Sequence, residues 1–369
     1  MAETNTSGPR RDLFGDIAVA KCLLTWAQVR EVLKKQVKYR DKGIVIRFGE
    51  LAVEMGYLTP PQITEVISEQ RVRRKPYEVK QPQKNTDLQD WDESSEQPYT
   101  LGRYQLQKRL GGVMGIVFKG TDTQTGKEIA VKVLPKSLAQ DPSFIERFKR
   151  EVRATASLNH PNIISVYDSG VVNGIFYLAM EYVDGETLIR RLHREKILPE
   201  RTAIAIGLGV ARGLEHAHEK GILHRDVKPE NVMISNLGQV KLADLGLALF
   251  LHDTMRITSE GIAVGTPHYI SPEQARALRD TDHRSDLYSL GATLFHLVSG
   301  RLPYEGENGG EVMKRHVFEP TPNPQDVNPN VSNDTAGLII KLMAKDPAQR
   351  YQTASELAAV LEYLLSVTK

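Results

Sequence analysis

The sequence predicts an α+β protein in which a small sheet-rich lobe precedes a larger helical lobe, with a short all-α segment ahead of both. Three observations predict this order. Residues 14–36 return in similar form at residues 48–70, and both copies have helical spacing. Residues 104–134 alternate between apolar and polar side chains around a glycine-rich stretch, which is typical of strands. After Leu188 the apolar residues recur mainly at the spacing of helices.

The all-α segment is an internal repeat. FGDIAVAKCLLTWAQVREVLKKQ at residues 14–36 matches FGELAVEMGYLTPPQITEVISEQ at residues 48–70, with a constant offset of 34 residues and ten identical positions. Each copy predicts a short helix, a tight connection and a second helix, with Thr25 and Thr59 as N-caps and Pro60 in the first helical turn. The two copies are expected to share one small core.

Composition sets the other predicted boundaries. Residues 1–11 are polar and predict a disordered tail, and residues 12–73 hold the repeat domain. Residues 74–101 are polar, charged and proline-bearing, which predicts a linker. The larger domain is then expected at residues 102–366, with its sheet-rich lobe at 102–181 and its helical lobe at 182–366.

The sheet-rich lobe predicts five strands and one helix. YQLQKRL and GIVFKGTD flank the glycine-rich stretch as a hairpin, and KEIAVKVL continues as a third strand. The stretch DPSFIERFKREVRATASL predicts a helix with Asp141 as its N-cap and Pro142 at its first position. IISVYDSGVV and IFYLAMEYV predict two more strands.

The bulk composition excludes several classes of protein. The chain of 369 residues is 40% hydrophobic and 25% charged, as in ordinary globular proteins. Its net charge of +2 does not indicate a nucleic-acid partner. The single cysteine, Cys22, excludes an intrachain disulfide, so a cytoplasmic location is expected. No apolar run reaches the length of a membrane span, so none is expected in this chain.

The strongest chemical signal is HRDVKPEN at residues 224–231. Transfer of a phosphoryl group to a hydroxyl needs a carboxylate that orients the hydroxyl and accepts its proton, a nearby cation, and a metal ligand. Asp226, Lys228 and Asn231 supply these three types within six residues. Asp244 in ADLG is expected to complete magnesium coordination with Asn231, because Mg²⁺ takes one or two protein oxygens together with nucleotide phosphates.

In these motifs the chain resembles the bacterial eukaryotic-type (Hanks-type) Ser/Thr protein kinases, over residues 102–366. The resemblance implies the bilobal protein kinase fold and transfer of the γ-phosphoryl group of ATP, with Mg²⁺, to serine or threonine hydroxyls of protein substrates. Asp226 matches the catalytic base, and Asn231 and Asp244 match the metal ligands. Lys228 in this motif favours serine or threonine acceptors over tyrosine.

The resemblance also assigns a nucleotide site. Lys132 in IAVKVL matches the lysine that holds the α and β phosphates, and Glu151 in FKREV matches its glutamate partner. The stretch MEYV fits the hinge that receives adenine, with Met180 as the gatekeeper. The complete set of expected nucleotide-binding residues is Gly111, Gly112, Gly115, Val117, Ala130, Lys132, Met180, Glu181 and Val183.

GTPHYISPE resembles the end of the kinase activation segment. The resemblance places Thr266 near the acceptor hydroxyl, pairs Glu273 with Arg350 in a buried ion pair, and makes Asp286 the anchor of the catalytic-loop backbone. The arginine that matches Arg225 often pairs with a phosphorylated activation loop in this family, so Thr254, Thr258 and Ser259 are candidate phosphorylation sites. For any one of them alone, an ordinary polar loop residue is the favoured interpretation.

The glycine loop RLGGVMGIVFKG departs from the family pattern L-G-x-G-x-x-G-x-V by one missing residue. Counting back from Gly115 keeps Gly112 in register and puts Leu110 where the first glycine belongs. ATP binding is expected to survive, because Lys132 and the magnesium site supply most of the charge neutralisation. The alternative is a pseudokinase that binds partners without turnover, and the retained catalytic residues argue against it.

The repeats resemble the N-terminal domain of type II secretion and pilus-extension ATPases, some of which bind cyclic di-GMP. Arg47, Gly49 and Gly56 of the second copy match that pattern, whereas Leu13 and Cys22 replace the arginine and a glycine in the first. The resemblance implies a sensing or docking domain that regulates the kinase. Simple packing or protein docking is the favoured interpretation of the repeats, and an adaptor role is a further alternative.

Overall fold

A computed structural model describes residues 18, 19, 21, 23–40, 48–73, 99–112, 115–134, 152, 154–245, 267–276 and 281–368. The chain divides into two units between residues 90 and 91. Within the described residues, no helix is both long enough and apolar enough to cross a lipid bilayer.

In the N-terminal unit the described residues form helices α1 (Trp26–Arg40), α2 (Phe48–Glu54) and α3 (Pro60–Arg73). The backbone N–H of Gln28 donates to Thr25 Oγ1 at 3.3 Å, and the N–H of Thr25 donates to Gln28 Oε1 at 2.8 Å, so the predicted N-cap is a capping box. In the second copy the N–H of Thr59 donates to Gln62 Oε1, also at 2.8 Å. Helix α3 begins at Pro60, as predicted.

The two copies pack reciprocally. Glu31 and Glu65 occupy equivalent positions of the repeat, and each is reached from the other copy. Lys21 lies 2.9 Å from Glu65 Oε1, and the Tyr57 hydroxyl donates to Glu31 Oε2. The two contacts link the copies through different donor positions, since Lys21 corresponds to Met55 and Tyr57 to Leu23. The equivalent buried pairs of the core are Ala18 and Ala52, Leu24 and Leu58, and Val32 and Val66.

The sheet-rich lobe of the second unit is one antiparallel sheet with the strand order β1-β2-β3-β4-β6-β5. Its strands are β1 (Tyr99–Leu101), β2 (Tyr104–Gly111), β3 (Ile116–Asp122), β4 (Glu128–Val133), β5 (Val166–Val172) and β6 (Ile175–Glu181). Strand β1 lies within the segment predicted as a linker, so that prediction is wrong for residues 99–101. Three residues are too few to show alternation, although Leu101 is buried and pairs with Tyr104.

A polar cluster on Asp168 joins strands that are not neighbours in this sheet. The hydroxyls of Tyr104 and Tyr177 donate to Asp168 Oδ2 at 2.8 and 3.2 Å, and Arg103 Nη2 lies 3.7 Å from the same oxygen. Because β3, β4 and β6 separate β2 from β5 in the strand order, this contact requires the sheet to curl.

The helical lobe begins with a small antiparallel sheet of β7 (Gly185–Thr187), β8 (Val232–Ser235) and β9 (Val240–Leu242). Its helices are α4 (Leu188–Glu195), α5 (Glu200–Glu219), α6 (Pro272–Ala275), α7 (Arg284–Ser299), α8 (Gly309–Phe318), α9 (Asn333–Leu342) and α10 (Ala354–Val367). Helix α7 is buried along nearly its whole length and forms the centre of the core. Residues 135–151, which include the predicted N-cap Asp141, lie outside the described residues.

A buried ion pair ties α6 to the segment before α10. Arg350 Nη1 and Nη2 donate to Glu273 Oε1 and Oε2 at 2.7 and 2.8 Å, and the Arg350 side chain has no exposed surface. The Ser285 hydroxyl donates to Glu273 at 2.6 Å. The sequence analysis predicted this ion pair, and the structure confirms it.

Candidate active site

An apolar cluster lies where the resemblance places adenine. Ala130, Met180 and Val183 are buried in it, and Val117 packs against it. The sequence analysis predicted these four residues. It missed Ile164, Met233 and Ala243, which complete the cluster from a loop, from β8 and from the segment after β9. A cavity of about 20 Å³, enough for roughly one water, lies against Met180.

The three glycines that flank residues 113 and 114, between β2 and β3, have unusual backbone angles. Gly111, Gly112 and Gly115 have φ angles of 129°, 128° and 126°, a region open to glycine. A Cβ on Gly112 would lie 2.0 Å from the Gly115 carbonyl oxygen, and a Cβ on Gly115 would lie 2.4 Å from that of Val133. Gly112 and Gly115 are therefore required by the shape of the shortened hairpin.

Lys132 on β4 extends across the cleft to Asp244. The distance from Lys132 Nζ to Asp244 Oδ2 is 2.7 Å, and Lys132 is 5% exposed. Burial raises the pKa of the Asp244 carboxyl, but the contact with Lys132, together with smaller contributions from His224 and Lys228, outweighs it, so the pKa lies below its ordinary value. The Asp244 carboxyl is therefore ionised at neutral pH, as a site for a divalent ion requires.

The catalytic loop gathers three of the predicted side chains. Lys228 Nζ lies 2.7 Å from Asp226 Oδ2. Asn231 Nδ2 donates to the backbone oxygen of Asp226 at 2.8 Å and to its Oδ2 at 2.9 Å. These two donations orient the Asn231 amide, and its Oδ1 remains available as an acceptor.

Asp286 at the start of α7 holds the catalytic-loop backbone, as predicted. Asp286 Oδ2 accepts from the backbone N–H of His224 at 2.9 Å, and Oδ1 accepts from that of Arg225 at 2.7 Å. His218 Nε2 lies 2.8 Å from the same Oδ2. Arg225 has a φ of 67°, a strained conformation for a side chain other than glycine, and this anchor holds it.

Two hydrogen bonds join the catalytic loop to the segment that carries Asp244. The Ala243 N–H donates to the Asn231 backbone oxygen at 2.8 Å, and His224 Nε2 lies 2.8 Å from the Ala243 oxygen. Because Ala243 precedes Asp244, these bonds fix the position of the Asp244 backbone relative to that of Asn231.

The donor set fits magnesium. The described residues hold no group of three or more His, Cys, Asp and Glu side chains that could bind a metal by themselves. Asn231 Oδ1 and the Asp244 carboxylate supply one amide oxygen and one carboxylate. This is the small oxygen set that Mg²⁺ accepts when phosphates and water complete its shell.

Other predicted site residues are placed as follows. The Glu181 carboxylate is 2.7 Å from Lys241 Nζ and accepts from the Ser165 N–H at 3.2 Å, so its side chain is engaged within the protein. Gly49 is buried in α2, and Gly56 has a φ of 71° in the turn after it. The predicted residues outside the described part of the chain are Arg47, Glu151, Thr254, Thr258, Ser259 and Thr266.

The chain is similar to known protein kinases. The protein kinase domain model matches residues 104–360. The chain belongs to the protein kinase family. The kinase domain is 44% identical over 278 residues to the probable serine/threonine-protein kinase SCO3848 of Streptomyces coelicolor, covering 73% of this chain and 41% of that protein. It is 40% identical over 259 residues to the serine/threonine-protein kinase PrkC of Bacillus subtilis, covering 70% and 40%.

The chain therefore spans about two-fifths of the length of these curated relatives. The crystal structure of the Mycobacterium tuberculosis PknI kinase domain matches with a TM-score of 0.59 and 30% identity, covering 72% of this chain and 98% of that one. The matched region supports the bilobal kinase fold expected from the sequence.

Proposed function

We propose that the protein is a Ser/Thr protein kinase that transfers the γ-phosphoryl group of ATP to hydroxyls of protein substrates and uses Mg²⁺. The observation that carries the proposal is the backbone hydrogen bond that joins the catalytic loop to the segment of Asp244, together with the contact of 2.7 Å between Asp244 and Lys132 of the other lobe. Relatives named as serine/threonine-protein kinases support the class of acceptor.

Each side chain has a role in this proposal. The apolar cluster with Ala130 and Met180 receives adenine, and Lys132 binds the α and β phosphates. Asp226 orients the acceptor hydroxyl and takes its proton, while Lys228, 2.7 Å away, neutralises charge on the transferring group. Asn231 and Asp244 would hold Mg²⁺, which would offset the negative charge of the phosphates.

The shortened glycine loop is compatible with this function. Gly112 and Gly115 have positive φ angles that favour glycine, and glycine lets backbone N–H groups approach phosphate oxygens closely. Arg190 Nη2 of α4 lies 3.4 Å from the Leu110 oxygen, so the hairpin touches the helical lobe. Four expectations from the sequence stay predictions. They are the pairing of Lys132 with Glu151, the position of Thr266 near the acceptor hydroxyl, phosphorylation of Thr254, Thr258 and Ser259, and a cytoplasmic location.

The test is transfer of radiolabel from [γ-³²P]ATP to the protein itself and to peptides containing serine, threonine or tyrosine. We expect transfer to serine or threonine with Mg²⁺, and none with an excess of EDTA. Asp244→Asn is expected to lower the rate by about 100-fold or more, because it removes a charged metal ligand. Equal transfer with EDTA, or transfer to tyrosine alone, would contradict the proposal.

A further inference from the structure

Helix α1 of the N-terminal unit presents a stripe of three basic side chains. Arg30, Lys34 and Lys38 are all exposed, and they are separated by four residues each. At the helical rise they lie about 6 Å apart and extend over about 12 Å of one face. Leu33, which is 47% exposed, lies three positions after Arg30 and therefore borders it on the helix surface. Arg30, Lys34 and Lys38 are called the basic stripe below.

The basic stripe makes no polar contact with the part of this unit that the structure describes. Among the described residues, none of its three side chains has a hydrogen-bond or ion-pair partner. Other polar residues of α1 do have partners within the unit: Lys35 Nζ lies 3.0 Å from Glu54 Oε1, and Glu31 accepts from the Tyr57 hydroxyl. Within the described residues, Lys35 and Glu31 therefore make polar contacts inside the unit, whereas the basic stripe makes none.

The second copy of the repeat shows that the fold does not need these charges. The positions equivalent to the basic stripe are Thr64, Ser68 and Val72, all uncharged. The core positions and the threonine–glutamine caps are the same in both copies, as described above. An exposed aliphatic residue is also common to both, since Ile67 is the equivalent of Leu33 and is 37% exposed. At the three positions of the basic stripe the first copy is therefore charged and the second is not.

We propose that the basic stripe and Leu33 form a docking surface for an acidic, amphipathic helical segment of a partner protein. Three carboxylates at four-residue spacing would face the stripe, and an aliphatic side chain would cover Leu33. A nucleic acid fits this face less well, because phosphates have no apolar group for Leu33. The inference goes beyond the kinase activity and does not depend on it, since docking requires no nucleotide.

The experiment measures binding of a labelled peptide to the full chain without ATP. The probe is a helical peptide of about 20 residues with Glu at positions i, i+4 and i+8 and Leu on the same face. We expect saturable binding at low salt that weakens as salt rises. The triple variant Arg30→Thr, Lys34→Ser, Lys38→Gln is expected to bind about tenfold more weakly.

A control variant removes the same charge elsewhere. Lys220, Arg301 and Lys314 are exposed basic residues of the second unit, and their joint replacement by Thr, Ser and Gln is expected to leave the affinity within about twofold. Circular dichroism and the melting temperature of each variant establish that it is folded. An equal loss of affinity in the control and the stripe variant would overturn the proposal, because it would show attraction to net charge alone.

Leu33 tests the apolar part of the surface. Leu33→Ser is expected to weaken binding about threefold or more, whereas Ile67→Ser, at the equivalent position of the second copy and outside the basic stripe, is expected to leave the affinity unchanged. Unchanged affinity in Leu33→Ser would contradict a mixed basic and apolar surface. Tighter, stripe-dependent binding of an oligo-dT strand would assign the surface to nucleic acid and overturn the proposal. Stripe-dependent self-association in sedimentation would assign it to a second copy, with the same consequence.

Discussion

Replacement of Asp286 by Asn tests how the catalytic loop is held. The carboxylate accepts from the backbone N–H groups of His224 and Arg225 and contacts His218, at distances of 2.7–2.9 Å. Asn keeps one oxygen and turns an NH₂ group toward one of these donors. Leaving a buried donor without an acceptor costs about 1–3 kcal/mol, and weakening the remaining charge-assisted bonds adds about 1 kcal/mol. We expect the free energy of unfolding to fall by about 2–4 kcal/mol.

The same substitution is expected to slow catalysis. Arg225 has a φ of 67°, and its N–H bond to Asp286 helps to hold that conformation next to Asp226. Loss of this bond misplaces the base, so kcat is expected to fall about 10- to 100-fold while KM for ATP changes little. Urea unfolding gives the stability, and steady-state phosphoryl transfer gives the kinetic constants.

Asp282→Asn is the control for Asp286→Asn. Asp282 pairs with Arg284 at 2.7 Å, but its side chain is 41% exposed and the pair is local. A loss of no more than about 1 kcal/mol and an unchanged kcat are expected for it. The reasoning is refuted if Asp286→Asn unfolds within about 0.5 kcal/mol of the wild type and keeps the full kcat.

Two further predictions concern buried charges in the helical lobe. Glu273→Gln leaves the fully buried Arg350 guanidinium without its counter-charge and is expected to cost about 3–5 kcal/mol in urea unfolding; a loss below about 1 kcal/mol would contradict it. Burial and the nearby Arg350 lower the pKa of Lys345 to about 8. The unfolded lysine keeps its proton to about pH 10.4, so the unfolded state binds more protons above pH 8 and stability should rise with pH. Between about pH 7.5 and 9.5 the wild type is therefore expected to gain stability relative to Lys345→Met, and a constant difference in urea midpoint would refute this.

Local patterns in the sequence predicted much of the fold. Alternation located β2, β3 and β4, and the repeat located α1 and α3 together with their threonine caps. A pattern of this kind needs several residues, which is why the three residues of β1 were assigned to the linker. Asp168 was missed for a different reason. An acidic residue in a strand indicates a solvent-facing position, and its partner Tyr104 is 64 residues away in the chain.

The candidate site divides in a similar way. Motifs identified Asp226, Asn231 and Asp244, because their residue types and spacing match the chemistry of phosphoryl transfer. Ile164 and Met233 were missed because an apolar residue in the sequence is equally compatible with a ligand pocket and with a hydrophobic core. The positive φ angles of Arg225 and Asp244 also leave no sign in the sequence, since they are imposed by the contacts around the loop.

The most direct test of the central claim compares the wild type with Asp226→Asn in both nucleotide binding and phosphoryl transfer. Asp226 is assigned to the acceptor hydroxyl and not to the nucleotide, so the variant is expected to bind Mg·ATP with an affinity within a few-fold of the wild type. Its rate of transfer from [γ-³²P]ATP is expected to fall by about 10²- to 10⁴-fold. A wild-type protein that transfers no phosphate, or an Asp226→Asn variant that transfers it at the wild-type rate, would contradict the account.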